Sequence, residues 1–432
     1  MRTVLLLVAI TLLWNGGVQA FKDKEFKTCK DAGFCRRNRG VSFKAYRIEP
    51  SSVQAAGPSV SGVLVNDKAP GGSKAFAWSL VAHAGGFARL QVDESPSVGR
   101  YRINDILEAD AQAAKADWHQ LGGDARGSIF ASGRLSVAIT YEPFRMAFSI
   151  DGKPAVNLNS RDMFQFEHRR SKEVSPPETC DGCWEETFLS HRDSKPYGPE
   201  AISLDISFPG FDHVYGIPEH AASHALKTTA QLGGEPYRLY NLDVFEYALD
   251  HPFGLYGSIP LMLAHRVGLT TGVFWLNAAE MYVDLVKESG GMASQWIAES
   301  ATYNPGTASR DLPRLCAQVG IMDVLKWGSK CRWNYKDEAD VTGVSARFDD
   351  NEMPMDVMWL DLDHTNGKRY MTWDQKHFPT PHLMQEDLGA RGRKLVTIID
   401  PHVKRERSYP MFTEAEAQGF YVKNRDGRDF DA

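Results

Sequence analysis

The feature that most constrains this chain is a change of pattern near residue 325. From Phe43 to Trp296 it is a succession of short alternating or apolar runs cut by Gly, Pro, Asn and Asp. Examples are Phe87–Val92, Leu135–Thr140 and Ala147–Ile150, the last followed by Asp151-Gly152. Side chains that alternate every second residue belong to strands with one buried face, and Asp-Gly between two such runs marks a hairpin turn. Apolar positions at helical spacing are nearly absent, so the pattern predicts a large antiparallel β-sandwich. After residue 325 the amphipathic stretch Ala339–Asp349 precedes an apolar strand Val357–Leu360, and Met384–Arg391 precedes Leu395–Ile399. Helix and strand in alternation predict βα units on a parallel sheet.

Both of these later strands end in acid, at Asp361-Leu362-Asp363-His364 and at Asp400-Pro401-His402. In a (β/α)8 barrel, polar residues at the carboxyl ends of strands line the active-site face. Read alone, the same acids serve equally well as loop starts or helix caps. His364 and His402 beside Asp363 and Asp400 match no established metal-ligand spacing, so neither a metal nor a cofactor is expected.

A formal charge of -6, from 49 basic and 55 acidic residues, favours neither nucleic acid nor an anionic membrane as partner. Arg2, the apolar run Val4–Leu13 and the small residues ending at Ala20 read as a signal peptide over residues 1–20, since the run is too short to span a bilayer. An oxidising compartment follows from that reading, and it makes Cys29 and Cys35 a local disulfide. Cys180-Asp181-Gly182-Cys183 has CxxC spacing without a thioredoxin-like βαβ context, which leaves a small loop disulfide or two idle thiols. The pairing of Cys316 and Cys331 is left open.

Several unbroken strings resemble glycoside hydrolase family 31. They include Phe26-Lys27-Thr28-Cys29, Trp184-Glu185-Glu186-Thr187-Phe188, His213 to His220, Tyr237 to Phe245, Cys331-Arg332-Trp333-Asn334-Tyr335 and Trp359 to His364. The resemblance is strongest to family members that trim glucose from N-glycans in the endoplasmic reticulum lumen and work with a non-catalytic β-subunit. It implies an N-terminal antiparallel β-sandwich over 21–300, a divergent connecting segment over 301–325, and the first units of an incomplete (β/α)8 TIM barrel over 326–432. Residues 301–330 depart from the family pattern, and the matching stretch breaks off after Gly427.

Retaining glycoside hydrolysis needs two carboxyl groups about 5–5.5 Å apart. The resemblance implies that both are aspartates on later barrel strands, with no matching position in this chain, so no catalytic residue is assigned. It implies instead that Asp361 accepts hydrogen bonds from sugar hydroxyls, with Leu362 an apolar wall, Trp333 an aromatic face for the ring, and Phe245 a clamp on a loop from the sandwich. Without the resemblance, Trp333 and Leu362 read as core residues and Phe245 as a buried strand residue. The expected substrate is a glucosylated N-glycan or oligosaccharide. The competing expectation is a non-catalytic sandwich product that binds at most carbohydrate or a β-subunit.

Overall fold

The structure, a computed structural model, describes residues 23–100, 115–172, 179–195, 197–242, 244, 247–300, 329–332, 335–400, 402–424 and 426–429. The signal peptide expected over 1–20, the divergent segment 301–325, Cys316, Phe245 and Trp333 lie outside the described residues. The chain forms two compact units, divided between Ala317 and Gln318.

In the first unit the strands pair antiparallel in two large sheets. One contains Tyr46–Ile48, Ser59–Asn66, Lys74–His83 and Phe87–Glu94 in that order, with Gln54–Ala56 beside Ser59–Asn66. The other has ten strands and runs from Tyr237–Leu239 through Met281–Glu288, Gly291–Ala298 and Ile202–Pro209 to its far edge at His119–Asp124. Tyr46, Phe76 and Leu80 from the first sheet share one core with Phe130, Val137, Ile206 and Trp296 from the second, which makes the pair a sandwich.

The local sequence explains the strands. In Leu135–Thr140 the residues Leu135, Val137 and Ile139 are buried, while Ala138 and Thr140 are exposed. Asp151 and Gly152 both take positive φ, 50° and 74°, and join Arg145–Ile150 to Lys153–Leu158 as a two-residue hairpin.

Two central strands break the alternation, because Ile202–Pro209 and Gly291–Ala298 are buried almost throughout. Their second face is covered by the N-terminal segment, where Cys29, Ala32, Phe34 and Cys35 pack on Ala201, Tyr282 and Ile297. Cys29 and Cys35 are joined by a disulfide. The bond closes a tight loop that leads into the short helix Gly33–Asn38, and three distant carboxylates accept the backbone N–H groups of that loop. Glu235 takes Cys29 N at 2.7 Å, Glu186 takes Gly33 N at 2.9 Å, and Glu299 takes Phe34 N and Cys35 N at 3.0 and 2.7 Å. An acceptor facing otherwise orphan helix-start amides is favoured by both hydrogen bonding and the local dipole.

These carboxylates titrate differently. Burial alone would raise Glu186, yet Lys195 and Lys27 hold it down at about 2. Glu299 is pushed up to about 7, chiefly by burial and further by the Glu186 charge, against the opposing pull of Lys195. A folded-state value above the ordinary 4.5 means that Glu299 contributes stability fully present below pH 4.5 and lost as pH rises through about 7. Glu299→Gln is therefore expected to flatten this part of the profile. The measurement is the urea midpoint from about pH 5 to about pH 8, where an unchanged slope would contradict the assignment.

The second unit is built differently. Ser329–Arg332, Val357–Leu360 and Lys394–Thr397 form a parallel sheet in which Leu360 pairs with both Arg332 and Thr397. The helices Glu338–Asp350 and Pro381–Ala390 precede the second and third strands. Asp337 caps the first helix by accepting from Asp340 N at 2.8 Å, and Pro381 opens the second, where its missing N–H costs nothing. Val341, Met384 and Leu388 of these helices pack on Met358 and Leu360 of the middle strand, with Tyr335 and Phe378 closing the cluster. The buried Arg393 ties helix to sheet by donating to the Ser345 carbonyl at 2.8 Å and pairing with Asp349.

Candidate functional site

The parallel register brings the carboxyl ends of the three strands to one edge. Asp361 is the first residue past the middle strand there, and Asp400 lies three residues past Thr397 of the third. Trp333, which follows Arg332 of the first strand, lies outside the described residues.

Asp361 caps a single 3-10 turn, Leu362–His364. Its Oδ1 accepts from Leu362 N at 2.7 Å, and its carbonyl accepts from His364 Nδ1 at 2.6 Å. Thr365 donates through Oγ1 to the Leu362 carbonyl at 2.7 Å, and the buried His364 ring sits edge-on to Trp373 with centroids 5.0 Å apart. The turn is thus pinned from both ends, which fixes the direction of the Asp361 side chain. Among the described residues only Oδ1 of this carboxylate is engaged by protein, so Oδ2 remains an acceptor for a ligand. Leu362 is half-buried beside it.

Asp363 deepens the acidity of the edge. Its Oδ2 is buried without a hydrogen-bond partner among the described residues. Burial first, and then the charge of Asp361, raise its carboxyl above the ordinary range. Tyr370 completes the group. Its hydroxyl donates to Asp400 Oδ2 at 2.5 Å and stands 3.5 Å from His402 Nε2, while Tyr409 Oη donates to its carbonyl at 2.8 Å. Burial and the Asp400 carboxylate push the Tyr370 phenol up to about 12, so it stays a donor throughout the neutral range. Tyr370→Phe is expected to cost about 1 kcal/mol, read from guanidinium unfolding, because Asp400 then loses its donor.

Asp361, Leu362 and Asp400 were visible in the sequence as strand-end residues. Tyr370 was not, since it lies in an irregular loop and only the tertiary fold returns it to Asp400. His364 has its Nδ1 committed to the backbone of the turn. In the first unit, Leu242 and Val244 of the loop that carries Phe245 pack with Phe26, Phe253 and Leu255, while Tyr240, Tyr247 and Leu249 are exposed. Phe245 itself lies outside the described residues.

A half-buried carboxylate at the carboxyl end of a parallel strand, with one oxygen unengaged among the described residues, suits recognition of vicinal hydroxyls. Both units of the chain resemble known proteins. Residues 79–284 match the glycosyl hydrolase 31 N-terminal galactose mutarotase-like domain, and residues 326–432 match the glycosyl hydrolases family 31 TIM-barrel domain. The probable glucan 1,3-alpha-glucosidase of Arabidopsis thaliana is 38% identical over 100% of this chain and 51% of its own length. The neutral alpha-glucosidase AB of Homo sapiens is 36% identical over 94% of this chain and 49% of its own length. A crystal structure of a glucosidase II alpha subunit bound to Glc1Man2 superposes with a TM-score of 0.71 at 33% identity, covering 94% of this chain and 49% of that one. A Flavobacterium johnsoniae dextranase, at 14% identity and a TM-score of 0.55, shares the fold. The chain spans about half the length of the curated relatives it matches. With the sandwich and the parallel-sheet unit each matching a domain of the same family, the chain belongs to glycoside hydrolase family 31.

Proposed function

We propose that this chain supplies the sandwich and the first barrel units of an α-glucosidase that trims α-linked glucose from N-glycans in the endoplasmic reticulum lumen. In this reading, residues 1–20 are the signal peptide, 21–300 the sandwich domain and 326–432 the opening of the catalytic barrel. Asp361 holds sugar hydroxyls through its second carboxylate oxygen, with Leu362 and Trp333 flanking the ring. A non-catalytic β-subunit is the expected partner, as in the solved ER glucosidase II heterodimeric complex of catalytic subunit and regulatory-subunit binding domain. The observation that carries the proposal is similarity to α-glucosidases along nearly the whole chain, combined with an Asp361 carboxylate fixed at a strand end with one oxygen unengaged among the described residues.

The test is release of glucose from a glucosylated high-mannose glycan by a chain continued through the complete barrel, with and without a β-subunit. Glucose release supports the reading. A well-folded, glycan-binding protein that releases none would favour the non-catalytic alternative.

A further inference from the structure

The CxxC sequence at 180–183 plays no part in the glycosidase reading, and its surroundings give it another use. Cys180 and Cys183 are joined by a disulfide in a loop that rests on the N-terminal helix Gly33–Asn38. The two loops touch backbone to backbone. A Cβ added to Gly182, whose φ is +72°, would lie 2.8 Å from Gly33 Cα, and one added to Gly33 would lie 2.9 Å from Gly182 Cα and 2.6 Å from Glu186 Oε1. Charges fix the contact. Arg36 pairs with the Asp181 carboxylate, Arg37 donates to the Asp181 carbonyl, and Lys195 Nζ donates to the Gly182 carbonyl at 3.1 Å.

The two disulfides differ in access. Cys29, Cys35 and Cys183 are buried, whereas Cys180 is partly exposed. Exchange requires a thiolate to reach one sulfur while the other leaves, so Cys180 is the sulfur open to attack and Cys183 the leaving group. A Glu167 carboxylate oxygen lies within 4.8 Å of both sulfurs and by itself would oppose a departing thiolate. Arg37 offsets it by pairing with Glu167 at 2.7 Å, which leaves the corner close to neutral, while Lys195, which donates to the Gly182 carbonyl, has its own charge balanced by Glu186 at 2.8 Å.

We propose that Cys180–Cys183 is a thiol–disulfide exchange site for a dithiol reductant, and that its opening loosens the N-terminal helix from the sandwich. A reductant thiolate bonds to Cys180 Sγ. The Cys180–Cys183 bond breaks, and its electron pair departs on Cys183 Sγ, which takes a proton. The second thiol of the reductant then closes its own disulfide and releases Cys180 as a thiol. One disulfide is reduced and one dithiol oxidised. The proposal is independent of the glycosidase reading, because every residue it uses belongs to the sandwich unit.

The experiment is graded reduction of the folded chain with dithiothreitol, followed by alkylation and peptide mass spectrometry. Cys180 and Cys183 are expected to label at least about tenfold faster than Cys29 and Cys35. Equal rates, prior opening of Cys29–Cys35, or free thiols at Cys180 and Cys183 before reductant is added would overturn the proposal. Amide hydrogen exchange at Gly33, Phe34 and Cys35 is expected to quicken after selective reduction, and unchanged protection would overturn the coupling to the helix. Arg37→Gln should slow labelling of Cys180 and Cys183 several-fold by leaving Glu167 unpaired, and a faster rate would contradict the electrostatic argument. The wild-type measurements stand without that variant.

Discussion

A polypeptide of residues 21–432 is expected to release no aryl alcohol from an aryl α-glucoside, whereas a chain continued through the complete barrel is expected to turn the substrate over. Enzymes lower barriers by about 8–23 kcal/mol, and a retaining glycosidase draws much of that from a nucleophile and a proton donor acting at one anomeric carbon. In the proposed function Asp361 binds the sugar and does not act as nucleophile or proton donor. Its Oδ1 is spent on the backbone of its own turn, which holds the carboxylate in one direction. In the complete chain, Asp361→Asn keeps the shape and removes the charge. It is expected to lower kcat/KM by about 100-fold, or about 2.7 kcal/mol, as loss of a charge-assisted hydrogen bond in the transition state. Turnover by the 21–432 polypeptide that vanishes with Asp361→Asn would mean that Asp361 is itself a catalyst.

The second large effect concerns the sandwich. Residues 21–300 are expected to fold alone and unfold in one cooperative step, because two sheets share a single core whose other main cover, the disulfide-closed segment, lies within the same stretch. Trp296 tests that core most severely. It is 1% exposed, lies parallel to Trp275 with centroids 5.9 Å apart, and donates through Nε1 to Ser294 Oγ at 3.0 Å. Trp296→Ala is expected to cost about 3–5 kcal/mol, from lost transfer energy and a large cavity. Urea unfolding measures it: a cost below about 1 kcal/mol, or a gradual non-cooperative transition, would show that the sheets do not share one core.

Much of the architecture was legible because its signals are local. Alternation marked Leu135–Thr140, Asp151-Gly152 marked a turn, and the apolar spacing of Ala339–Asp349 became the helix Glu338–Asp350. The expected helix Met384–Arg391 begins earlier, at Pro381, since proline is tolerated at a first helical position. The strand expected over Leu395–Ile399 is seen at Lys394–Thr397, the stretch that pairs with Val357–Leu360.

Less of the candidate site could be read this way. Asp361 stood out by following an apolar strand. Tyr370 reaches Asp400 across 30 residues, and no local pattern announces such a contact. Nor did anything in the sequence separate Glu186, Glu235 and Glu299 from ordinary surface acids.

The sequence by itself determined the type of the elements whose periodicity it marks, the change from sandwich strands to βα units, and the family, because these depend on residues adjacent or a few positions apart. Only the tertiary structure decided which charged groups are buried and what they hold. Glu299 receives the amide of Phe34 from 265 residues away. A carboxylate's solvation and partners are set by whatever the fold brings against it, and chain neighbours carry little information about that.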